Sequence, residues 1–470
     1  MKLTCWGAAG TVTGSMHLLE TDSGRRILVD CGLYYEKKNK DITEHNRRFP
    51  FSPKSIDAVI LTHAHIDHSG NLPNLVNQGF EGNIYCTAPT KELSLYLLED
   101  SVNIQMAALD KTFVKKKSKK HKKKNIEEGL LYNYKHIKQM LGQVVTIDYQ
   151  VSKRVLDDIE ITFYNAGHIL GAASVMVKVI EGNEEKTIGF TGDLGNYNSK
   201  LMIDPTPLPQ PDFLVTEATY GGRLHADGKN AMDLLLDEVV ETCVNKRGKL
   251  IIPAFSVGRT QAIIFTLHQL YVAGRLPNIK IFTDSPLAIK TTRMYETYID
   301  LLNNEAKDFH KNYGDIFAFD LLYTLLSPEH SESISLDPEP CVIISAAGMV
   351  EGGRIQQHVR TNISNPHSSI LIAGYCAEGT FGHLLLQGLS HVVINQKERP
   401  VLATIKQTDG FSAHPDHKGL LDFIHKTQGS NTRKVVIVHS DPASAKALKE
   451  AISPSHHPEM AERGKVFELN

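Results

Sequence analysis

The chain has 470 residues, 41% of them hydrophobic and 22% charged. That balance and length fit a globular protein of two or three domains and exclude a largely disordered or collagen-like chain. The net charge is −2, yet nine lysines and no acid lie between residues 111 and 124. The remainder is therefore acidic, and any capture of phosphates has to come from local patches or bound cations.

No apolar run approaches the ~18 residues needed to span a bilayer, and the N-terminus lacks the apolar core of a signal peptide. No membrane partner is expected, and the expected location is the cytoplasm. Cys5, Cys31, Cys86, Cys243, Cys341 and Cys376 form no CxxC pair and read as buried reduced thiols.

In chain order, the first 215 residues are rich in strand signals. Short β-branched or apolar runs with polar ends occur at Arg26–Asp30, Ala58–Thr62, Asn83–Cys86, Ile159–Phe163, Ser174–Val177 and Thr187–Phe190. Helical spacing takes over between Lys91 and Leu141, interrupted by the lysine run. Four prolines at 205, 207, 209 and 211 form a stiff spacer before the strand Phe213–Thr216. From about 221 to 400 predicted helices and strands alternate, with strands at Leu250–Pro253, Ile279–Phe282, Val342–Ser345 and Ser369–Ile372. Such βα alternation predicts a parallel sheet covered by helices. The tail adds a helix after Asp416, the strand Lys434–Val438 and a helix after Pro442.

The strongest chemical feature is Thr62-His63-Ala64-His65-Ile66-Asp67-His68, directly after an apolar strand. Histidines at i and i+2 on extended backbone share one side, and the Asp-His pair opens the next turn. Three imidazoles and a carboxylate gathered past a strand end suit zinc. One loop cannot close a coordination sphere, so donors are expected after other strands. His168, after Asn165-Ala166-Gly167, and Asp193, after Thr191-Gly192, are such donors.

Asp30, His63-x-His65-x-Asp67-His68, His168 and Asp193 resemble, in order, the successive motifs of the metallo-β-lactamase superfamily. The resemblance implies an α/β fold, an αββα sandwich with a metal site along one edge of its sheets. It implies two Zn2+: one held by His63, His65 and His168, one by Asp67 and His68, with Asp193 bridging and Asp30 orienting a ligand imidazole. Thr216-Glu217-Ala218-Thr219-Tyr220-Gly221, Phe411-Ser412-Ala413-His414 and Val436-Ile437-Val438-His439 are similar to motifs of the β-CASP subgroup. So are Ala254–Gln261, Ser345–Met349 and Gly374–Thr380. By this resemblance His439 adds a ligand to the second zinc. The β-CASP domain is an insertion, giving residues 1–220 and 401–470 to the metallo-β-lactamase domain and 221–400 to the inserted parallel sheet and its helices. Two positions depart from the usual pattern: Ser440-Asp441 follows His439 where glycine is usual, and Ala218 stands in place of serine.

The subgroup includes the endonuclease of pre-mRNA cleavage, ribonuclease J and DNA-repair nucleases. The resemblance therefore implies a zinc-dependent ribonuclease acting on single-stranded RNA, endo- or exonucleolytically, with DNA as a substrate and a homodimer both left open. The alkoxide leaving group in phosphodiester hydrolysis needs a proton. His414 is the candidate acid, with Glu217 holding its tautomer and Asp67 completing the catalytic set. His358 and His383 are weaker rivals. Ser256, Gly258 and Arg259 at a helix start, with Ser345 and Gly348 at a second turn, are candidate phosphate contacts. The lysine run reads as a solvated loop or an RNA-backbone contact. Two alternatives stand beside this reading: a hydrolase of a thioester or small phosphodiester, and a non-catalytic RNA-binding homologue.

Overall fold

The computed structural model describes every residue except 36–41, 114–128, 183, 226–229, 395, 428 and 430. The lysine run at 115–124 lies outside the described residues. The chain divides into two units: Met1–Tyr197, Asp204–Leu224 and His414–Asn470 form the first, and Asn198–Ile203 with His225–Ala413 the second.

The first unit is built on two seven-stranded sheets. One has the order Val466–Glu468, Lys2–Gly7, Met16–Glu20, Arg26–Val29, Ala58–Ile60, Asn83–Cys86, Val144–Thr146. The other has the order Pro458–Met460, Lys434–Val438, Phe213–Glu217, Glu184–Phe190, Ala173–Glu181, Ile159–Asn165, Ser152–Leu156. Alternation along each strand sorts the side chains into layers. Ile27 and Val29 join Val175, Phe190, Val215 and Val436 in the core between the sheets. Leu28 faces the other way, with Leu72, Leu98 and Met140 of the covering helices. Leu214, Val435 and Ile437 pack on Leu420, Phe423 and Leu448 outside the second sheet. The result is an αββα sandwich, with about 1.5–3 kcal/mol of hydrophobic stabilisation for each large apolar side chain fully buried.

Three consecutive pairings in the first sheet, from Arg26–Val29 to Val144–Thr146, are parallel. So are three in the second, from Glu184–Phe190 to Pro458–Met460. Parallel strands deliver their carboxyl ends to one edge, where loops rather than ladders decide which side chains meet.

The second unit holds a six-stranded, wholly parallel sheet: Leu322–Thr324, Lys280–Asp284, Cys341–Ser345, Lys249–Pro253, Ser369–Ile372, Thr404–Gln407. Helix Ile355–Asn362 covers the face formed by Ile251, Ile370 and Ile372. By compactness the chain returns to the first unit at His414. The reason is that Thr404–Gln407 pairs in register with Ser369–Ile372. All six cysteines are buried and unpaired. Among the described residues no helix is long and apolar enough to cross a membrane.

One carboxylate of the second unit supports a stability prediction. Burial, then a hydrogen bond and the charge of Asp315, push Glu296 up to about 7. Its folded-state value exceeds the unfolded one of about 4.5. The stabilisation is therefore complete below pH 4.5 and is lost as pH rises through 7. Glu296→Gln is expected to be more stable than the parent at pH 8, by about 1–2 kcal/mol after allowance for solvent screening, and equal to it or weaker at pH 4.5. Melting temperatures across that range check this; parallel profiles for the two proteins would refute it.

Candidate metal centre

Each ligand candidate sits just past a strand end. His63 and His65 follow Ala58–Ile60, and His65 is the N-cap of the short helix Ile66–Ser69 that carries Asp67 and His68. Asp193 follows Glu184–Phe190 through Gly192, whose φ is 55°. His439 follows Lys434–Val438 with φ 50°, and its N–H donates to the Ala8 carbonyl at 2.7 Å. The backbone packs closely around the helix. A Cβ added at Gly32 would lie 1.6 Å from the Asp67 carbonyl oxygen, so only glycine fits there.

Two sets of donor atoms result. His63, His65, His168 and Asp193 form one, and Asp67, His68 and His439 the other, each with its ligand atoms within 4.8 Å of one another. In the first set, His65 Nδ1 lies 3.1 Å from His63 Nε2 and 3.2 Å from His168 Nε2. Asp193 Oδ2 is 3.6 Å from His63 Nε2 and 3.7 Å from His168 Nε2. The other oxygen of the same carboxylate, Oδ1, lies 3.3 Å from His68 Nε2. Asp193 thus faces one set with each oxygen. Asp67 Oδ2 is 3.6 Å from His439 Nε2.

Electrostatics suit a cation. Burial pushes His63 and His168 well below the usual histidine range and His65 to about 4, leaving neutral imidazoles with lone pairs to give. Burial alone would raise Asp193, but His439, His68 and His63 hold it well below the ordinary carboxylate range. His68 Nε2, His439 Nε2 and Asp193 Oδ1 are buried without a hydrogen-bond partner. Unsatisfied buried donors and acceptors are costly, and a divalent cation supplies what these atoms lack.

Supporting residues fix the ligands. Asp30, with φ 60° at the end of Arg26–Val29, accepts from the Thr62 N–H and hydroxyl at 2.8 and 2.9 Å. Its Oδ2 lies 2.7 Å from His68 Nδ1, which leaves Nε2 for a metal. Thr219 Oγ1 lies 3.1 Å from His439 Nδ1. Thr62 and Thr219 carry little signal of their own in the sequence: one precedes His63 and the other lies two residues after Glu217. Glu217, last in its strand and buried, accepts from the Leu194 N–H at 2.5 Å and the Thr219 N–H at 3.3 Å. Both its oxygens are 3.1 Å from His414 Nδ1. The His414 ring lies 4.6 Å from that of His168. Burial lowers the His414 pKa, but the charge and hydrogen bond of Glu217 outweigh it, with Asp193 and Asp67, and the net shift is upward.

The candidate phosphate contacts belong to the second unit. Gly258, φ 84°, caps helix Arg259–Val272, and Arg259 lies over the Phe255 ring at 4.8 Å. Gly348 also approaches Phe255, within 3.1 Å of an added Cβ. Ser256 Oγ is 3.3 Å from Ser285 Oγ. Ser345 differs from expectation: it is buried and its hydroxyl donates to the Asp284 carbonyl at 2.9 Å, which removes it as a donor to a ligand. His358 is also committed, 2.6 Å from Asp284 Oδ2 and 2.7 Å from Ser335 Oγ.

Three family models match successive parts of the chain: the metallo-β-lactamase superfamily over 9–237, the β-CASP domain over 260–385, and a Zn-dependent metallo-hydrolase RNA specificity domain over 398–465. A ribonuclease of Thermus thermophilus is 32% identical over 454 residues, covering 96% of each chain. The chain belongs to the β-CASP family of metallo-β-lactamase-fold hydrolases. An RNase J-like protein of Methanocaldococcus jannaschii is 31% identical, covering 90% of this chain and 88% of its own. The transcription termination factor FttA of Methanothermobacter thermautotrophicus is 29% identical, over 94% of this chain and 67% of its own. The fold implies divalent-metal binding, and in this β-CASP protein the two His/Asp sets are groups that could hold such an ion.

Proposed function

We propose that the chain is a zinc-dependent nuclease that hydrolyses phosphodiester bonds of single-stranded RNA at a site holding two ions. The carrying observation is Asp193, one oxygen toward His63 and His168 and the other toward His68. That is the geometry a carboxylate needs to bridge two cations. His63, His65 and His168 would hold one ion; Asp67, His68 and His439 the other. When bound, such a pair supplies hydroxide near neutral pH and screens phosphate charge.

This chain's own residues do the rest. His414 holds a proton for the departing 3′-oxygen. Glu217 keeps that proton available by accepting from Nδ1, which fixes the ring's orientation and tautomer. Asp30 and Thr219 orient His68 and His439. Gly258, Arg259, Ser256 and Gly348 are assigned to contacts with the RNA backbone. Choice of RNA is supported by the RNA-specificity family model and by the ribonucleases among the relatives. The unpaired buried thiols suit the reducing cytoplasm.

The test is turnover by the full-length, zinc-loaded chain on labelled single-stranded RNA, single-stranded DNA and a thioester panel. RNA cleavage abolished by chelation and restored by zinc is expected. Turnover of the thioesters alone would overturn the proposal.

A further inference from the structure

A buried histidine outside the two ligand sets stands where the pattern of its strand calls for an apolar residue. Met16 and Leu18 face the outer helices, and Leu19 faces the core between the sheets. His17 pairs with Cys5 on one neighbouring strand and Val29 on the other, both members of that inter-sheet core. It is 4% exposed. Its Nε2 is 3.2 Å from Ser15 Oγ, and its Nδ1 is buried without a hydrogen-bond partner. A polar atom left so in an apolar core costs about 1–3 kcal/mol, which a sequence sheds easily by placing leucine there.

The same histidine lines a cavity of about 10 Å3. Val29, Phe190 and Val438, each the last residue of its strand, line the cavity together with His68, Asp193 and His439. That volume is about what one water needs, and the lining is polar enough to hold it. Burial, with the nearby His68 and His439, pushes His17 down to about 3. The ring is therefore neutral and offers one N–H and one lone pair.

We propose that His17 is a positioning residue for the metal centre: through one water in this cavity, bound at Nδ1, it braces the candidate ligands His68, Asp193 and His439, which line the same cavity. Ser15 holds Nε2 and so decides which way Nδ1 faces. The inference rests on the two-ion reading above and extends it to a polar network beneath the second ion. Partners of this kind alter metal affinity by about 10–100-fold.

The test is cobalt(II) titration of the metal-stripped full-length chain, followed by visible absorption and by calorimetry, with melting of the metal-free proteins as a control on folding. Wild type is expected to take up two equivalents. His17→Leu is expected to bind one of them at least tenfold more weakly, with an altered cobalt band. His17→Asn, whose amide sits where Nδ1 does, restores both; His17→Gln, which reaches only toward Ser15, does not. Wild-type affinities and spectrum in His17→Leu would overturn the inference. Should that variant fail to fold, equal binding by the Asn and Gln variants would overturn it instead. A wild type that binds fewer than two ions removes the two-ion reading itself, which is visible before any substitution is made.

Discussion

His414→Ala is expected to slow cleavage of single-stranded RNA by about 10²–10⁴-fold at neutral pH, the usual yield of a positioned acid or base, while the ions bound per chain stay the same. His414 is in neither donor set, so its loss should not empty the site. Its Nδ1 is committed to Glu217 at 3.1 Å, which leaves Nε2 as the nitrogen that meets a substrate. The ring stands 4.6 Å from His168, close enough to serve a phosphate that ions at the donor sets would hold. The decisive comparison uses the leaving group. An RNA 3′-oxygen departs as an alkoxide and needs the proton; a nitrophenolate departs without one. Wild type and variant should differ greatly on RNA and by less than about tenfold on an activated nitrophenyl phosphodiester. Equal losses on both substrates, at unchanged metal content, would remove His414 as the proton donor. Glu217→Gln should follow the same pattern with a smaller loss.

Much of this site was legible because its chemistry is local. His63 to His68 lie within six residues after a strand, and alternation on extended backbone brings the first two to one side. His168 and Asp193 carried the same signature of a ligand type beside glycine past an apolar run. His439 and His414 were not readable that way and entered only through the family resemblance. His439 reaches the site by parallel pairing of Lys434–Val438 with Phe213–Glu217, more than 200 residues earlier in the chain, and His414 by its Nδ1 contact with Glu217.

What escaped has equally physical reasons. Thr404–Gln407 has one apolar residue in four, and only its place at the sheet edge makes it a strand. Ser345 read as a phosphate donor because it ends a strand before a glycine turn, but the register that sets it beside Asp284 consumes its hydroxyl. His17 carries no chemical signal in the sequence, standing as one polar residue in the run Met16–Leu19. Burial on both sides of the strand, invisible from the pattern, is what makes it informative.

Asp193→Ala is expected to reduce bound metal from two ions per chain to one or none and to cost RNA cleavage about 10³-fold or more. The size follows from the several kcal/mol that cation stabilisation of a phosphoryl transition state contributes, at about 1.4 kcal/mol per tenfold. Among the described residues no other carboxylate reaches both donor sets: Asp67 belongs to one, and Asp30 is occupied by Thr62 and His68. The substitution removes the one carboxylate that faces both sets, unlike His65→Ala or His439→Ala, each of which should weaken one ion. Asp193→Asn separates charge from shape. It keeps an oxygen of similar reach and loses the negative charge, so it should retain one ion and lose the other. Metal per chain by elemental analysis, measured beside cleavage rates for all four variants, gives the comparison. Two ions bound by Asp193→Ala would mean that the carboxylate does not bridge, and the split of its oxygens between His63 and His68 would then be mere packing.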